Sequence, residues 1–166
     1  MTDSLLVLVF RRINLLVYSS LLWSGLSFGQ YCTSGGPLFG SDSHISQVFL
    51  AGESGNLDYV VGCTGAVGVV DQTILGVGAS YSLVINFNSC GGFYASDGEA
   101  WIDYDQDGVF ETSESLGSWI GAPPSLTTID FSVPSGVSYG TSRMRVMLYE
   151  DLSGLVSPPL DPCASF

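Results

Sequence analysis

The chain contains no lysine among its 166 residues, and its four basic residues are all arginines. Sixteen aspartates and glutamates give a net charge of −12. Removal of a predicted N-terminal leader, described below, takes away Asp3, Arg11 and Arg12 and leaves 15 acidic and 2 basic residues, a net charge of −13. So acidic a domain repels nucleic acid and anionic membranes, and we expect neither as a partner. The charge favours a bound cation, and solubility in a salty medium is a compatible explanation.

The sequence also has only one histidine, His44, and lacks the histidine-glutamate motif of zinc hydrolases. A lone histidine in a Ser/Gly/Asp-rich segment is more often solvated or structural than catalytic. Carboxylate pairs of the kind used in glycoside hydrolysis occur in the acidic stretch described below, where a bound cation explains them better. We therefore expect a protein that is not an enzyme.

The four cysteines contain no C-x2-C pair, so no zinc site is expected. Their number fits an oxidising compartment and two disulfides, for which three connectivities exist. We favour Cys32–Cys163, which joins the two ends of the domain, and Cys63–Cys90, which joins its middle. Closure of these loops stabilises the fold by about 5 and about 3.5 kcal/mol. A Cys32–Cys63 bond would exclude this pairing.

The N-terminus has the layout of a secretory signal peptide. Arg11 and Arg12 precede an apolar run over residues 13–28, and the small residues Ser27 and Gly29 stand at positions −3 and −1 before Gln30. We predict cleavage after Gly29, which makes residues 1–29 a leader and residues 30–166 the secreted, extracellular domain. The alternative is an uncleaved signal anchor, since the run is near the lower length limit for a membrane span. Only that alternative would bring the protein to a membrane.

No window of a dozen residues shows a helical apolar stripe with a cap. Short alternating runs are separated instead by Gly, Ser, Pro and Asp. The clearest run covers residues 81–88 and places Tyr81, Leu83, Ile85 and Phe87 on one face. The other predicted strands are residues 45–50, 57–61, 99–104, 116–120, 127–133 and 141–149, while the Gly/Val-rich residues 64–76 are left open. This spacing predicts an all-β fold, an antiparallel β-sandwich of the jelly-roll or immunoglobulin-like kind with seven or eight strands.

The stretch Trp101–Phe110 leads from a predicted strand into three aspartates at alternate positions, closed by Gly108. The spacing D-x-D-x-D-G-x5-E of a calcium loop is matched in full, and glycine permits the sharp turn. The predicted calcium ligands are five carboxylate side chains and one backbone carbonyl. The carboxylates are those of Asp103, Asp105, Asp107, Glu111 and Glu114, and the carbonyl is that of Val109.

This acidic loop is not an EF-hand, because the segment that enters it is a β-branched and aromatic strand instead of a helix. Glu114 is therefore a less certain ligand than the aspartates, since its role in an EF-hand depends on the outgoing helix. The alternative is a solvated turn in which the aspartates accept hydrogen bonds from nearby N–H groups. Five carboxylates within a dozen residues repel one another without a counter-cation, which favours calcium.

Arg143 and Arg145 are the only cations beyond the leader and share one face of a predicted strand. They are candidates for binding a carboxylate or a sulfated sugar. The interpretation that we favour is structural, with the pair forming salt bridges to neighbouring acids.

Four aromatic residues are candidates for a sugar-stacking platform, although aromatic residues at strand spacing more often belong to a core. They are Tyr94, Trp101, Tyr104 and Trp119.

The stretch Trp101–Phe110 resembles the W-I-D-Y-N-x-D-G-x-F signature of the GEVED domain family. Gly140–Val146, which follows Val133-Pro134, is similar to the family's P…G-T-T-R-M-R-V strand, and Tyr31-Cys32 and Pro162-Cys163 resemble its Y-C and P-C pairs. The resemblance implies an extracellular β-sandwich module of secreted proteins. The sequence departs from the family in lacking the name-giving Gly-Glu-Val-Glu-Asp segment, in carrying Asp105 where asparagine is usual, and in having the inner cysteine pair.

These observations together predict a secreted, calcium-stabilised, non-catalytic module for binding or adhesion at the cell surface or in the extracellular matrix. Its expected partner is an extracellular glycan or protein. A structural accessory domain of a larger secreted protein, such as a protease, is the alternative. A hydrolase is the third and least favoured interpretation.

Overall fold

A computed structural model of the protein describes residues 2–11, 31–32, 43–63, 71–150 and 158–163. Over these ranges the chain forms nine strands and one 3-10 turn. The strands are β1 (Thr2–Arg11), β2 (Ser43–Ala51), β3 (Asn56–Val60), β4 (Gln72–Gly76), β5 (Ser80–Ser89), β6 (Ser96–Ile102), β7 (Ser115–Gly121), β8 (Ser125–Ser132) and β9 (Gly140–Glu150). The turn, η1, spans Thr112–Glu114 between β6 and β7. The all-β prediction is confirmed, and none of the described residues belongs to a helix of the length and apolarity that crossing a membrane requires.

The strands form two sheets. Sheet 1 has the order β4-β1-β9-β6-β7, and sheet 2 has the order β3-β2-β5-β8. All neighbouring strands run antiparallel except β1 and β4, which are parallel. The count exceeds the predicted seven or eight strands because β1 lies in the predicted leader and β4 in the Gly/Val-rich stretch whose form the sequence left open.

The main hydrophobic core lies between the two sheets. Alternation along β5 buries Leu83, Ile85 and Phe87 on one face of sheet 2, as predicted. Sheet 1 contributes residues such as Ile102 and Met144 to the same core. Apolar faces of two sheets packed in this way form a β-sandwich, which confirms the predicted fold class.

A smaller apolar cluster covers the opposite face of sheet 1. It contains Trp101, Phe110, Met147 and Leu160, with Tyr31 and Tyr149 packed against them. Because both faces of β6 are covered, all seven of its residues are buried. The second cluster therefore holds the segments 31–32 and 158–163 against the strand that leads into the acidic loop.

The two disulfides join the same cysteines that the sequence analysis favoured, Cys32 with Cys163 and Cys63 with Cys90. The first bond ties the segments 31–32 and 158–163 together over sheet 1. The second joins the chain just beyond β3 to the chain just beyond β5, at one end of sheet 2. No cysteine is left free.

Strand β1 occupies an interior position of sheet 1, between β4 and β9. Its Leu8 is fully buried in the main core. The leader predicted for residues 1–29 thus includes a strand of the sandwich, while its apolar run over residues 13–28 lies outside the described residues. Cleavage after Gly29 stays a prediction.

Candidate metal centre

The acidic loop begins where β6 ends, at Ile102, and two residues with positive φ shape it. Gln106 has φ 65° and Gly108 has φ 88°. Positive φ costs glycine nothing, which explains the glycine at the sixth position of the loop. The Gln106 side chain donates a hydrogen bond to the Ser138 carbonyl at 2.8 Å. That bond anchors the tip of the loop to the turn before β9.

Asp103 is the innermost acid of the loop and is fully buried. Its carboxylate accepts hydrogen bonds from the Gln106 N–H at 2.7 Å, the Gly108 N–H at 3.1 Å and the Tyr31 hydroxyl. The Ser142 hydroxyl donates to its backbone carbonyl. Each carboxylate oxygen has two lone pairs, so these bonds fix the orientation of the group and leave room for a cation.

The short turn η1 stands where an EF-hand has its outgoing helix, and it directs the Glu114 side chain back toward the loop. Its carboxylate accepts hydrogen bonds from the Tyr104 N–H at 2.6 Å and the Glu111 N–H at 3.2 Å. The second bond belongs to a capping box with Glu111 at the N-cap. The side chain is buried, so the structure places it firmly inside the loop.

Five predicted ligands fall into two overlapping groups. Asp103, Asp105 and Glu114 form one, and Asp105, Asp107 and Glu111 form the other. Within each group, one carboxylate oxygen per residue lies within 4.8 Å of the others. Asp105 belongs to both groups, so it is the side chain on which the candidate site centres. The Asp105 and Asp107 carboxylates also accept hydrogen bonds within the loop, from Asp107 N–H at 3.2 Å and Val109 N–H at 2.7 Å.

Burial shifts the acid–base properties of the inner acids. It raises the pKa of Asp103, against the lowering effect of the hydrogen bonds from Tyr31, Gly108 and Gln106. Burial also raises the pKa of Glu114 to about 7, with a further rise from the side-chain hydrogen bond with Glu111, against the lowering effect of the backbone N–H groups of Glu111 and Tyr104. A buried acid with a raised pKa is stabilised as an anion by a nearby cation. The inner group therefore gains more from a bound cation than solvated acids would.

A cleft of about 520 Å³ adjoins the loop. Its walls include Asp105, Glu111 and Glu114 on one side and the turn of residues 134–138 on the other. Any cation held by these carboxylates would thus lie beside a space open to a second molecule.

The two arginines on β9 have different surroundings. Arg145 is buried and donates to the Cys32 carbonyl at 2.6 Å and the Pro162 carbonyl at 2.5 Å. Its guanidinium lies 4.9 Å from the centre of the Phe110 ring, while that of the exposed Arg143 lies 4.8 Å from the Tyr31 ring. These contacts agree with a structural role for Arg145 in holding the terminal segments, and its burial withholds it from a soluble ligand.

The aromatic side chains proposed as a sugar-stacking platform are mostly packed inside. Trp101 belongs to the smaller cluster, and Trp119 and Tyr104 pack in or against the main core. Only Tyr94 is exposed. The core interpretation therefore fits the first three residues.

One catalytic pattern present in the sequence has the wrong structural context. Residues 136–140 match Gly-x-Ser-x-Gly, but residues 136–139 belong to the turn before β9 and Gly140 is the first residue of that strand. A nucleophile elbow lies between a strand and a helix, whereas this turn leads from one strand to another. Ser138 consequently has the setting of a turn residue that accepts a hydrogen bond from Gln106.

A second group of side chains that could hold a metal ion was not predicted from the sequence. His44 lies beside the Cys63–Cys90 disulfide, with its Nδ1 atom 3.3 Å from Cys90 Sγ. Burial lowers the pKa of His44, which favours the neutral imidazole. The three residues are 19 and 27 positions apart in sequence, so no contiguous motif signals the group.

A comparison with protein-family models matches residues 97–166 to the GEVED domain. The matched range begins in β6 and includes the acidic loop and β9, whereas the Tyr31-Cys32 resemblance lies outside it. Searches of curated proteins and of solved structures gave no match. The family resemblance is thus confirmed over residues 97–166, which match the GEVED domain.

Proposed function

We propose that the protein is a secreted, calcium-stabilised and non-catalytic β-sandwich module for binding or adhesion. The observation that carries the proposal is the pair of overlapping carboxylate groups centred on Asp105. Oxygen ligands from carboxylates are those that calcium prefers, and its flexible geometry suits an irregular loop. Calcium would link β6 to η1 and β7 by drawing Asp103, Asp107 and the two glutamates toward one region.

The role of the cation in this proposal is to hold the loop, not to activate a water molecule. Asp103 and Glu114 accept hydrogen bonds from the backbone of the loop and are buried, which suits a structural site. The adjoining cleft supplies the candidate surface for a ligand, since hydroxyl groups of a glycan or a carboxylate of a protein are oxygen ligands that can complete a calcium shell.

Thermal unfolding with calcium and with a chelator tests the site. A ligand that binds only the folded state adds RT ln(1 + [L]/Kd), about 2.7 kcal/mol at 100 times Kd. We expect calcium to raise the melting temperature of the native chain and to leave that of Asp107→Ala nearly unchanged. An equal calcium response in both proteins would refute the metal site.

A binding array of glycans and matrix proteins, run with calcium and with chelator, tests the adhesive role. Calcium-dependent binding that is lost on substitution of Glu111 by Gln, at the wall of the cleft, would support it. Calcium stabilisation without any captured ligand would favour the second candidate, a structural accessory domain. That candidate has its own support: the segments 31–32 and 158–163 are joined by Cys32–Cys163, so both ends of the domain predicted for residues 30–166 lie at one place.

The proposal of secretion depends on the predicted leader. The mass of the exported protein shows whether residues 1–29 have been removed. We expect a chain that begins at Gln30. Retention of residues 1–29 would identify the signal-anchor alternative and leave β1 in place between β4 and β9. In that case the membrane would become a partner of the N-terminal segment.

A further inference from the structure

A corner of sheet 2 brings together one imidazole and two sulfur atoms, which we call the His–Cys corner. It consists of His44, Cys63 and Cys90, whose candidate ligand atoms all lie within 4.8 Å of one another. His44 is buried, whereas Cys63 is exposed. The histidine therefore forms the buried side of the corner, and Cys63 is its solvent-accessible side.

The strand order of sheet 2 builds this corner. Strand β2 lies between β3 and β5 and runs antiparallel to both, so its first residues meet the ends of its two neighbours. His44 pairs with Asn88, two residues before Cys90. On the other side Val61 donates a backbone hydrogen bond to Ser46 at 3.0 Å, which extends the pairing of β3 toward Cys63. The sheet thus fixes the backbone of His44 directly and brings the chain that follows β3 and β5, which carries the two cysteines, to the same end of β2.

The chemistry of the corner differs from that of the acidic loop. Thiolates and imidazole are the ligands of zinc and similar borderline or soft metals, whereas calcium takes oxygen. In a tetrahedral zinc site, Zn–S and Zn–N bonds of about 2.3 and 2.0 Å separate the sulfur and nitrogen atoms by about 3.5 Å. The His44 and Cys90 ligand atoms are 3.3 Å apart, close to that separation.

We propose that reduction of the Cys63–Cys90 disulfide converts this corner into a zinc site with three protein ligands and one open position. A dithiol reductant transfers two electrons and two protons to the disulfide, which leaves two thiols and the cyclic disulfide of the reductant. Binding of Zn²⁺ by both thiolates and by the neutral imidazole of His44 then releases the two thiol protons. The corner would act as a redox-dependent metal site, formed only when the disulfide is open.

Cadmium titration of the full chain tests the proposal, because cadmium binds the same ligands and its thiolate bonds absorb in the near ultraviolet. The protein is reduced with a dithiol, freed of reductant without oxygen, and titrated before and after reduction. We expect a charge-transfer band that saturates at one equivalent in the reduced chain and is missing from the oxidised chain. Circular dichroism of the reduced chain must show retained strands; an unfolded reduced chain would overturn the proposal.

Three variants assign the band. Cys63→Ser with Cys90→Ser should abolish it, which also shows that reduced Cys32 and Cys163 contribute nothing. His44→Gln keeps both thiols and should weaken cadmium binding by more than the 10- to 100-fold that loss of an outer hydrogen-bond partner costs. Asp107→Asn, in the acidic loop, is the matched control and should leave the band unchanged. An undiminished band in the double cysteine variant, or unaltered affinity in His44→Gln, would contradict the proposed site.

Discussion

The acidic loop joins two strands of sheet 1, whereas the His–Cys corner lies at one end of sheet 2, and the two assemble candidate metal ligands in different ways. The loop draws its carboxylates from residues 103–114, whereas the corner combines His44, near the start of β2, with cysteines that follow β3 and β5. The loop offers hard oxygen ligands for calcium, and the corner offers sulfur and nitrogen, held as a disulfide in the described structure. Local spacing is sufficient to build the first group, while the second depends on strand order.

The largest expected change in stability comes from removal of the Cys63–Cys90 disulfide, which alters the corner and leaves the acidic loop intact. Cys63→Ser with Cys90→Ser removes a cross-link between residues 27 apart, which lowers the free energy of unfolding by about 3.5 kcal/mol on the loop-closure model. Denaturant unfolding of the oxidised chain measures the loss. The increment in stability added by calcium should remain, because its predicted ligands lie in the loop between β6 and β7 of sheet 1. Loss of the calcium increment along with the cross-link would show that the two regions are coupled.

The converse change breaks the loop and spares the corner. Asp103→Ala leaves the Tyr31 hydroxyl and the N–H groups of Gln106 and Gly108 without their carboxylate partner. Unsatisfied buried donors destabilise the fold, and we expect a loss of about 2 to 3 kcal/mol even without calcium. Denaturant unfolding in chelator provides the value. Asp130→Asn, on β8 of sheet 2, is the control. An equal loss of stability in that variant would contradict the prediction that the Asp103 hydrogen bonds stabilise the fold.

A smaller, pH-dependent effect comes from Glu114. Its pKa of about 7 in the folded chain lies above the ordinary value of 4.5, so the folded state favours the protonated form. Without calcium, the stabilisation from this group is complete below about pH 4.5 and is lost as the pH rises through about 7. Calcium binds the carboxylate in competition with the proton, so its stabilising increment should grow between about pH 6 and pH 8.

Melting temperatures measured in calcium and in chelator across this pH range check the Glu114 prediction. Glu114→Gln should flatten the dependence in chelator. A calcium increment that shrinks as the pH rises would contradict the assignment of Glu114 as a ligand.

The contrast between the loop and the corner also explains which parts of the fold and of the candidate sites could be predicted from the sequence. Alternation along residues 81–88 predicted β5 because a strand with one buried face repeats every two residues. The spacing of Asp103, Asp105 and Asp107 likewise predicted the loop, because its candidate ligands are close neighbours in the sequence. His44 was set aside as a lone histidine, since only the order β3-β2-β5 brings it to the cysteines.

The N-terminus shows another limit of local patterns. Leu5 to Phe10 form an apolar run that fits both a leader and a buried strand, and the structure places them in β1. The parallel pairing of β1 with β4 depends on contacts across about 65 residues of sequence, from Val7 with Gln72 to Arg11 with Gly76. No window of neighbouring residues contains that information. The form of residues 72–76 was left open because a glycine-rich segment has a weak strand signal.

Calcium titration calorimetry of matched variants tests whether one calcium site centres on Asp105. The native chain and Asp130→Ala, a change at an exposed aspartate of β8, should each bind calcium with the same affinity. Asp105→Ala carries the same charge change but removes an oxygen ligand from both groups, so it should lose measurable binding. Undiminished calcium affinity in Asp105→Ala, or no heat of binding in the native chain, would show that no such site exists.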